Sequence, residues 1–201
     1  MIHESLKFLC EEVNKYLNSK KAPMSLSEPW LVVSNIAVAG ESNSSAAVEP
    51  DVKDKLVLSL INVEEDKVAK QQEHYQKSDT KTVYKNPPLY LNFYILFSMN
   101  KKRYDDSLFF LGNIIQFFQH QYVFTPVTHP GLDSRIQRII VDLHNTSFEQ
   151  TNHLWSILGG KYFPSVMYKV RQVVMDENVT ISESGFIKEI QLNDKIKTPV
   201  S

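Results

Sequence analysis

Histidines, acidic clusters and glycine-rich turns are the usual sources of catalytic and metal chemistry, and in this chain none of them falls into a working pattern. The six histidines are His3, His74, His120, His129, His144 and His153. No two of them stand four apart around a glutamate, the spacing a helical zinc site needs. His144 and His153 flank an expected helix start. A shared metal is one reading of the pair; we prefer surface or capping histidines, since isolated histidines are common. Glu64, Glu65 and Asp66 have the chemistry for calcium or for acid–base work. They open a polar stretch without a partner motif and read better as a solvated edge. Lys101, Lys102 and Arg103 lack the interleaved aromatics of a nucleic-acid stacking platform. Gly40, Gly112, Gly131, Gly159, Gly160 and Gly185 make neither a phosphate cradle nor a nucleophile elbow. No catalytic residue, metal or cofactor is therefore expected. A triad assembled from distant positions would leave no such trace, but nothing specific argues for an enzyme.

Composition narrows the remaining classes. At 201 residues and 23.2 kDa the chain has the size of one domain, or one domain and an arm. Apolar residues make up 42% and charged residues 22%, ordinary globular values. A net charge of −1 supplies no long-range attraction to nucleic acid or to an anionic membrane. The single cysteine, Cys10, excludes an intrachain disulfide and sits in an apolar helical pattern, where a small buried side chain is expected. Glu4, Lys7, Glu11, Glu12 and Lys15 interrupt the first 17 residues, so neither a secretory leader nor a membrane insertion is expected, and the cytosol is the expected place of assembly.

The elements that would carry any site follow from periodicity. Ile2, Leu6, Leu9, Val13, Tyr16 and Leu17 predict an amphipathic helix ending near Ser19. Residues 31–39 read as a strand, 40–50 as a polar loop, and 56–63 as a central strand apolar on both faces. The clearest strand is Leu89–Met99, in which Leu89, Leu91, Phe93, Ile95, Phe97 and Met99 share one face. A second helix over 104–119 is marked by Tyr104, Leu108, Leu111, Ile115 and Phe118. Phe109, Phe110, Ile114 and Phe117 widen its apolar face past a stripe, which predicts cover by the sheet and by another subunit. A strand follows over 136–145, with Ile139, Val141 and Leu143 on one face. Ser147 and Gln150 then form a capping box opening a third helix, with Phe148, Thr151, Trp155 and Leu158 on one side and Gly159–Gly160 at its end. Val166, Tyr168, Val170, Gln172 and Val174 space a last strong strand. Residues 64–86 form a long polar loop expected to order against a partner, and 176–201 a polar C-terminal arm. The expected fold is α+β, a single mixed or antiparallel sheet with packed helices.

Four segments, MIHESLKFLCEEVNKYL, LVLSLINVEED, NPPLYLNFYILFSMNKKRYDDSLFFLGNIIQFFQ and SFEQTNHLWSILGGKYFPSVMYKVRQV, together resemble the tube-cap proteins of extracellular contractile injection systems, the phage-tail-like particles of the antifeeding-prophage and virulence-cassette type. The likeness runs over about residues 1–174. It implies a fold similar to phage tail terminators, with a cap domain over 1–175 and the arm over 176–201. It also implies a ring, usually hexameric, that ends the inner tube and the contractile sheath, with the tube and sheath proteins as partners. A phage head-to-tail adaptor or tail-completion protein is the second reading. The family pattern hands over no individual residues, so interface candidates rest on their own chemistry. Tyr75 and Tyr84 lie in the polar stretch, where no local apolar pattern explains them. Phe109, Phe110 and Phe117 lie on the over-apolar helix. Phe186, Ile187 and Ile190 are the apolar patch of the arm.

Overall fold

The computed structural model describes residues 1–20, 29–37, 52, 54–66, 75–77, 81–85, 89–99, 103–175 and 180–185. They divide into two compact units, Met1–Ala69 with Leu89–Met175, and Lys70–Pro88 with Asp176–Ser201.

The first unit is built on a six-stranded sheet. Its strands are β1 (Leu31–Val33), β2 (Leu56–Glu65), β5 (Leu89–Met99), β6 (Val123–Phe124), β7 (Ile139–Leu143) and β8 (Ser165–Met175), in the order β1-β2-β5-β8-β7-β6. Only β1 and β2 run parallel; every other neighbour pair is antiparallel. The helices are α1 (Ile2–Lys20), α2 (Tyr104–His120) and α3 (Phe148–Ile157). The α+β class with one mixed sheet is thus as expected.

Alternation along the strands decides where the helices go. Phe93, Ile95, Phe97 and Met99 of β5 are buried with Leu6, Leu9, Val13 and Leu17 of α1 and with Phe110, Ile114, Phe117 and Phe118 of α2. Leu96 of β5 points to the opposite face, where it joins Val57, Val32 and Trp155 of α3. The sheet is therefore covered by α1 and α2 on one side and by α3 on the other. The larger core is strongly aromatic: Phe118 lies 4.7 Å from Tyr168 and 5.5 Å from Phe97, centroid to centroid. Each such side chain contributes about 1.5–3 kcal/mol by leaving water.

The short edge strand β1 is held by a side chain. The parallel ladder turns the N–H and C=O of Leu31 away from β2. Asn14 of α1 meets both, its amide donating to Leu31 O at 2.9 Å and its carbonyl accepting from Leu31 N at 2.9 Å. The Cys10 thiol donates to the same carbonyl at 3.2 Å. On the far side of β1, the Ser59 hydroxyl donates to Ser34 O and accepts from Ile36 N. β1 is shorter than the 31–39 expected, because the chain turns at Ile36 and Ala37. The predicted capping box is present, with Gln150 N–H donating to Ser147 Oγ and Ser147 N–H to Gln150 Oε1. Gly159 and Gly160 close α3 at φ 99 and 76, a region only glycine enters freely.

The second unit contains β3 (Tyr75–Lys77), β4 (Lys81–Lys85) and β9 (Thr180–Gly185), an antiparallel sheet in the order β3-β4-β9. Lys81–Lys85 and Thr180–Gly185, read from sequence within a separate loop and arm, here pair their backbones. No helix among the described residues is long and apolar enough to cross a membrane.

Two predictions follow from the α1–β1 seam. Asn14→Ala orphans the Leu31 N–H, leaves its carbonyl only the weak Cys10 thiol, and should cost about 1–3 kcal/mol, read by urea denaturation; an unchanged midpoint would contradict the clamp. Burial, with Glu11 nearby, pushes the Cys10 thiol up to about 11 from an ordinary value of 9.0. Burial likewise pushes the Tyr168 hydroxyl up to about 12 from 10.0. Both neutral forms are favoured by folding, so their contribution is complete below pH 9 and is lost as the pH rises through about 11 to 12. The native thiol should resist alkylation at pH 8 and react only on unfolding; rapid native labelling would contradict this.

Candidate assembly surfaces

A stable subunit gains nothing from large apolar side chains left in water, so their placement is the first clue to partners. Helix α2 carries two apolar arcs. Phe110, Ile114, Phe117 and Phe118 face the sheet and are buried. Tyr104, Leu108 and Ile115, at steps of four and seven, form an outer stripe with between 39% and 62% of their surface in solvent. Phe109 is 49% exposed and lies about 100° round the helix from Phe110, against whose ring it packs edge-on at 5.6 Å. From Ser107 to Gln119 this helix has no charged residue. Gly112 lies in the middle of the outer face, and a Cβ added there would meet nothing within 4 Å. Its backbone cost of about 0.5–1 kcal/mol relative to alanine therefore serves no packing inside the subunit.

The second surface belongs to α3, on the other side of the sheet. Between α3 and the strands runs a groove of about 750 Å³. Leu96, Trp155 and Met167 supply apolar lining, and Thr146, Ser147, Thr151 and Asn152 supply hydroxyls and an amide. Phe148 and Tyr162 also line it, 97% and 65% exposed, and Ile157 lies outside it, 82% exposed. None of its described lining residues is charged. Trp155 is buried against Tyr162 and Phe163, with ring centroids at 5.7 and 5.8 Å. Its indole N–H is buried with no acceptor, an arrangement that costs about 1–3 kcal/mol.

The sequence candidates separate cleanly. Phe109 is on the surface. Phe110 and Phe117 are corrected to core residues: Phe110 is 1% exposed and stacks on Trp30, and Phe117 packs against Tyr16 and Phe124. The sheet takes the bulkier arc of α2 and leaves out Tyr104, Leu108 and Ile115, three of the residues whose spacing marked the helix. Phe148, on the same side of α3 as Trp155, is almost wholly in solvent, because as the first helical residue it precedes the turn that meets the sheet. Leu143, on the same face as the buried Ile139 and Val141, is exposed at the end of β7. Tyr75 and Tyr84 belong to the second unit, where their backbones are register partners. Phe186, Ile187 and Ile190 lie outside the described residues.

Among the described residues the titratable side chains are scattered. His144 packs edge-on against Tyr94 at 4.9 Å, while Glu64 accepts from the Tyr94 hydroxyl at 3.0 Å. His129 packs against Phe8 and Phe124 and meets Thr128 Oγ1 at 2.8 Å. Asp133 is held down to about 2 by the Arg135 guanidinium, at the surface. No group of three or more His, Cys, Asp or Glu among the described residues is placed to hold a metal ion.

The two arcs of α2 give a direct test. Phe110→Ala should cost about 3–5 kcal/mol, while Phe109→Ser should shift stability by less than about 0.5 kcal/mol. Gly112→Ala should raise stability by about 0.5–1 kcal/mol. Thermal or denaturant unfolding of the three variants reads all of these; equal losses at 109 and 110 would contradict the assignment of faces.

Comparison with known proteins adds the lineage. No curated protein matches the chain. Among solved structures, the PVC sheath/tube terminator of an extracellular contractile injection system, in its extended state, matches at a TM-score of 0.48 and 11% identity, covering 73% of this chain and 52% of that one. The tube-terminating cap of the anti-feeding prophage matches at a TM-score of 0.38 and 13% identity, covering 94% of this chain and 61% of that one. The chain thus spans between about half and three fifths of the length of these two structures. The model of the Pvc16 N-terminal domain matches residues 7–189, and the chain belongs to that family.

Proposed function

We propose that this chain is a structural cap that ends the inner tube and contractile sheath of a phage-tail-like contractile injection particle. The observation that carries the reading is the family match over residues 7–189. It coincides with the sequence resemblance to tube caps over residues 1–174. In this reading the role comes with family membership, not with the likeness to the two solved terminators. The cap is a ring of identical subunits, six in number, that docks on the tube protein and the sheath protein, assembles in the cytosol and leaves with the particle. Its work is binding, not catalysis.

A terminator has a one-sided task. It must match the growing end of a polymer and offer no copy of that end to the next subunit. Rigidity and two-sidedness serve this, and a sheet covered on both faces supplies them. The cap domain, read over residues 1–175, is the docking module in this reading. Residues 176–201 reach the sheath, with Phe186, Ile187 and Ile190 as apolar anchors, and the stretch around Tyr75 and Tyr84 contacts a neighbour.

A strain lacking this protein should still build baseplates but should carry tubes or sheaths of variable, excessive or unstable length, scored by negative-stain imaging. Particles of uniform, normal length in that strain would defeat the cap reading. Deleting only residues 176–201 should weaken sheath termination while leaving the tube capped.

A further inference from the structure

A sheet that ends in free backbone groups invites a strand from another chain, and the six-stranded sheet has two such ends. At the first, β1 pairs only with Leu56, Val57 and Leu58, while β2 runs on to Glu65. Asp66 N–H donates to Tyr90 O, and Glu64 is the register partner of Asn92, so the backbone of Val63, out of that phase by one residue, faces away from β5. Its N–H is taken by Asn62 Oδ1 at 2.9 Å. The Asn62 amide is itself oriented: its Nδ2 donates to Glu64 Oε1 at 3.4 Å, and the Tyr94 hydroxyl donates to Glu64 Oε2 at 3.0 Å. At the second end, Val141 N–H donates to Tyr122 O, so the next residue of β6, Val123, turns its backbone outward. Gln121 Nε2 donates to Val123 O, and Gln121 is fixed in turn by its own N–H on Phe117 O. With Asn14 on Leu31, side-chain amides thus meet outward backbone groups at both edges.

We infer that Asn14, Asn62 and Gln121 stand in for absent neighbour strands and keep this sheet from taking on a strand of another chain. A docking strand would have to break an amide bond for each backbone bond it made there, so the exchange gains little. Three other features act in the same direction: β1 and β6 are only three and two residues long, the register of β2 shifts between Leu60 and Asn62, and Glu64 and Glu65 place carboxylates at the end of β2. Copies of the subunit therefore meet through side-chain surfaces and not through a continuation of this sheet. That holds whether or not the subunit caps a tube.

The test uses the full chain alone, followed by sedimentation and by the infrared band of intermolecular β-sheet. Asn62→Ala and Gln121→Ala should each lower the concentration at which that band appears by about tenfold, the worth of one released hydrogen bond. The thermal transition of the subunit should be little changed, since both side chains act at the surface. Asn14 is spared because it also ties β1 to α1. Adding Leu60→Lys, at an exposed position of the same strand, to Asn62→Ala should restore the wild-type threshold, because a lysine on an edge opposes a second strand. Thresholds unmoved in both alanine variants would overturn the inference. Association that Leu60→Lys leaves in place would also overturn it, since that marks aggregation of a loosened subunit. A wild-type ring on tube ends, joined by strand pairing along this sheet, would overturn it while leaving the cap reading intact.

Discussion

Strand β5 is the constraint on which the rest of the structure depends. It is paired along its length by β2 and β8, and both its faces are covered at the centre. Its large residues, Phe93, Ile95 and Phe97, fix the side on which α1 and α2 lie, and Leu96 fixes the side of α3. A one-residue slip of register would send every one of these to the wrong face. The energy of the core thus also determines orientation: the outer face of α2 and the α3 groove point in opposite directions because β5 alternates.

The Asn14–Leu31 clamp solves a local problem of the same sheet. A parallel edge strand three residues long exposes backbone groups that would pair with any passing strand. A side-chain amide imitates the missing neighbour and ties the edge to α1. On the same strand row, the N–H of Val63 beyond the reach of β1 is met by Asn62 Oδ1 at 2.9 Å. Edges are thus quieted by side chains, and part of the apolar surface left open among the described residues lies on α2 and around α3.

Much of this was legible from sequence, and what was not has a physical cause. Strand β5 and helix α1 read correctly because one period dominates each. In α2 nearly every position from Leu108 to Phe118 is apolar, so the 3.6-residue period fits two arcs. The choice between them falls to packing: the sheet takes the aromatic arc, which buries more area. The spacing of Phe148, Thr151, Trp155 and Leu158 was right as one side of a helix but could not say which of them the sheet buries, and only Trp155 is fully buried. The groove itself was beyond reach, because Leu96, Trp155 and Met167 come from three elements that only the fold brings together. The pairing of residues 81–85 with 180–185 is equally non-local and has no sequence signal apart from weak β propensity.

A subunit shaped this way keeps apolar surface in water at the expense of its own stability and recovers it only in contact with partners. In the proposed role as a cap, such a chain is most stable where it is assembled, which would suit a component acting at one end of one polymer. Its position in an intact particle tests this most directly. Electron cryo-microscopy of whole particles carrying a labelled copy should show the protein as a single ring at the end of the tube distal to the baseplate. Label along the tube, at the baseplate, or absent from the particle would contradict the account.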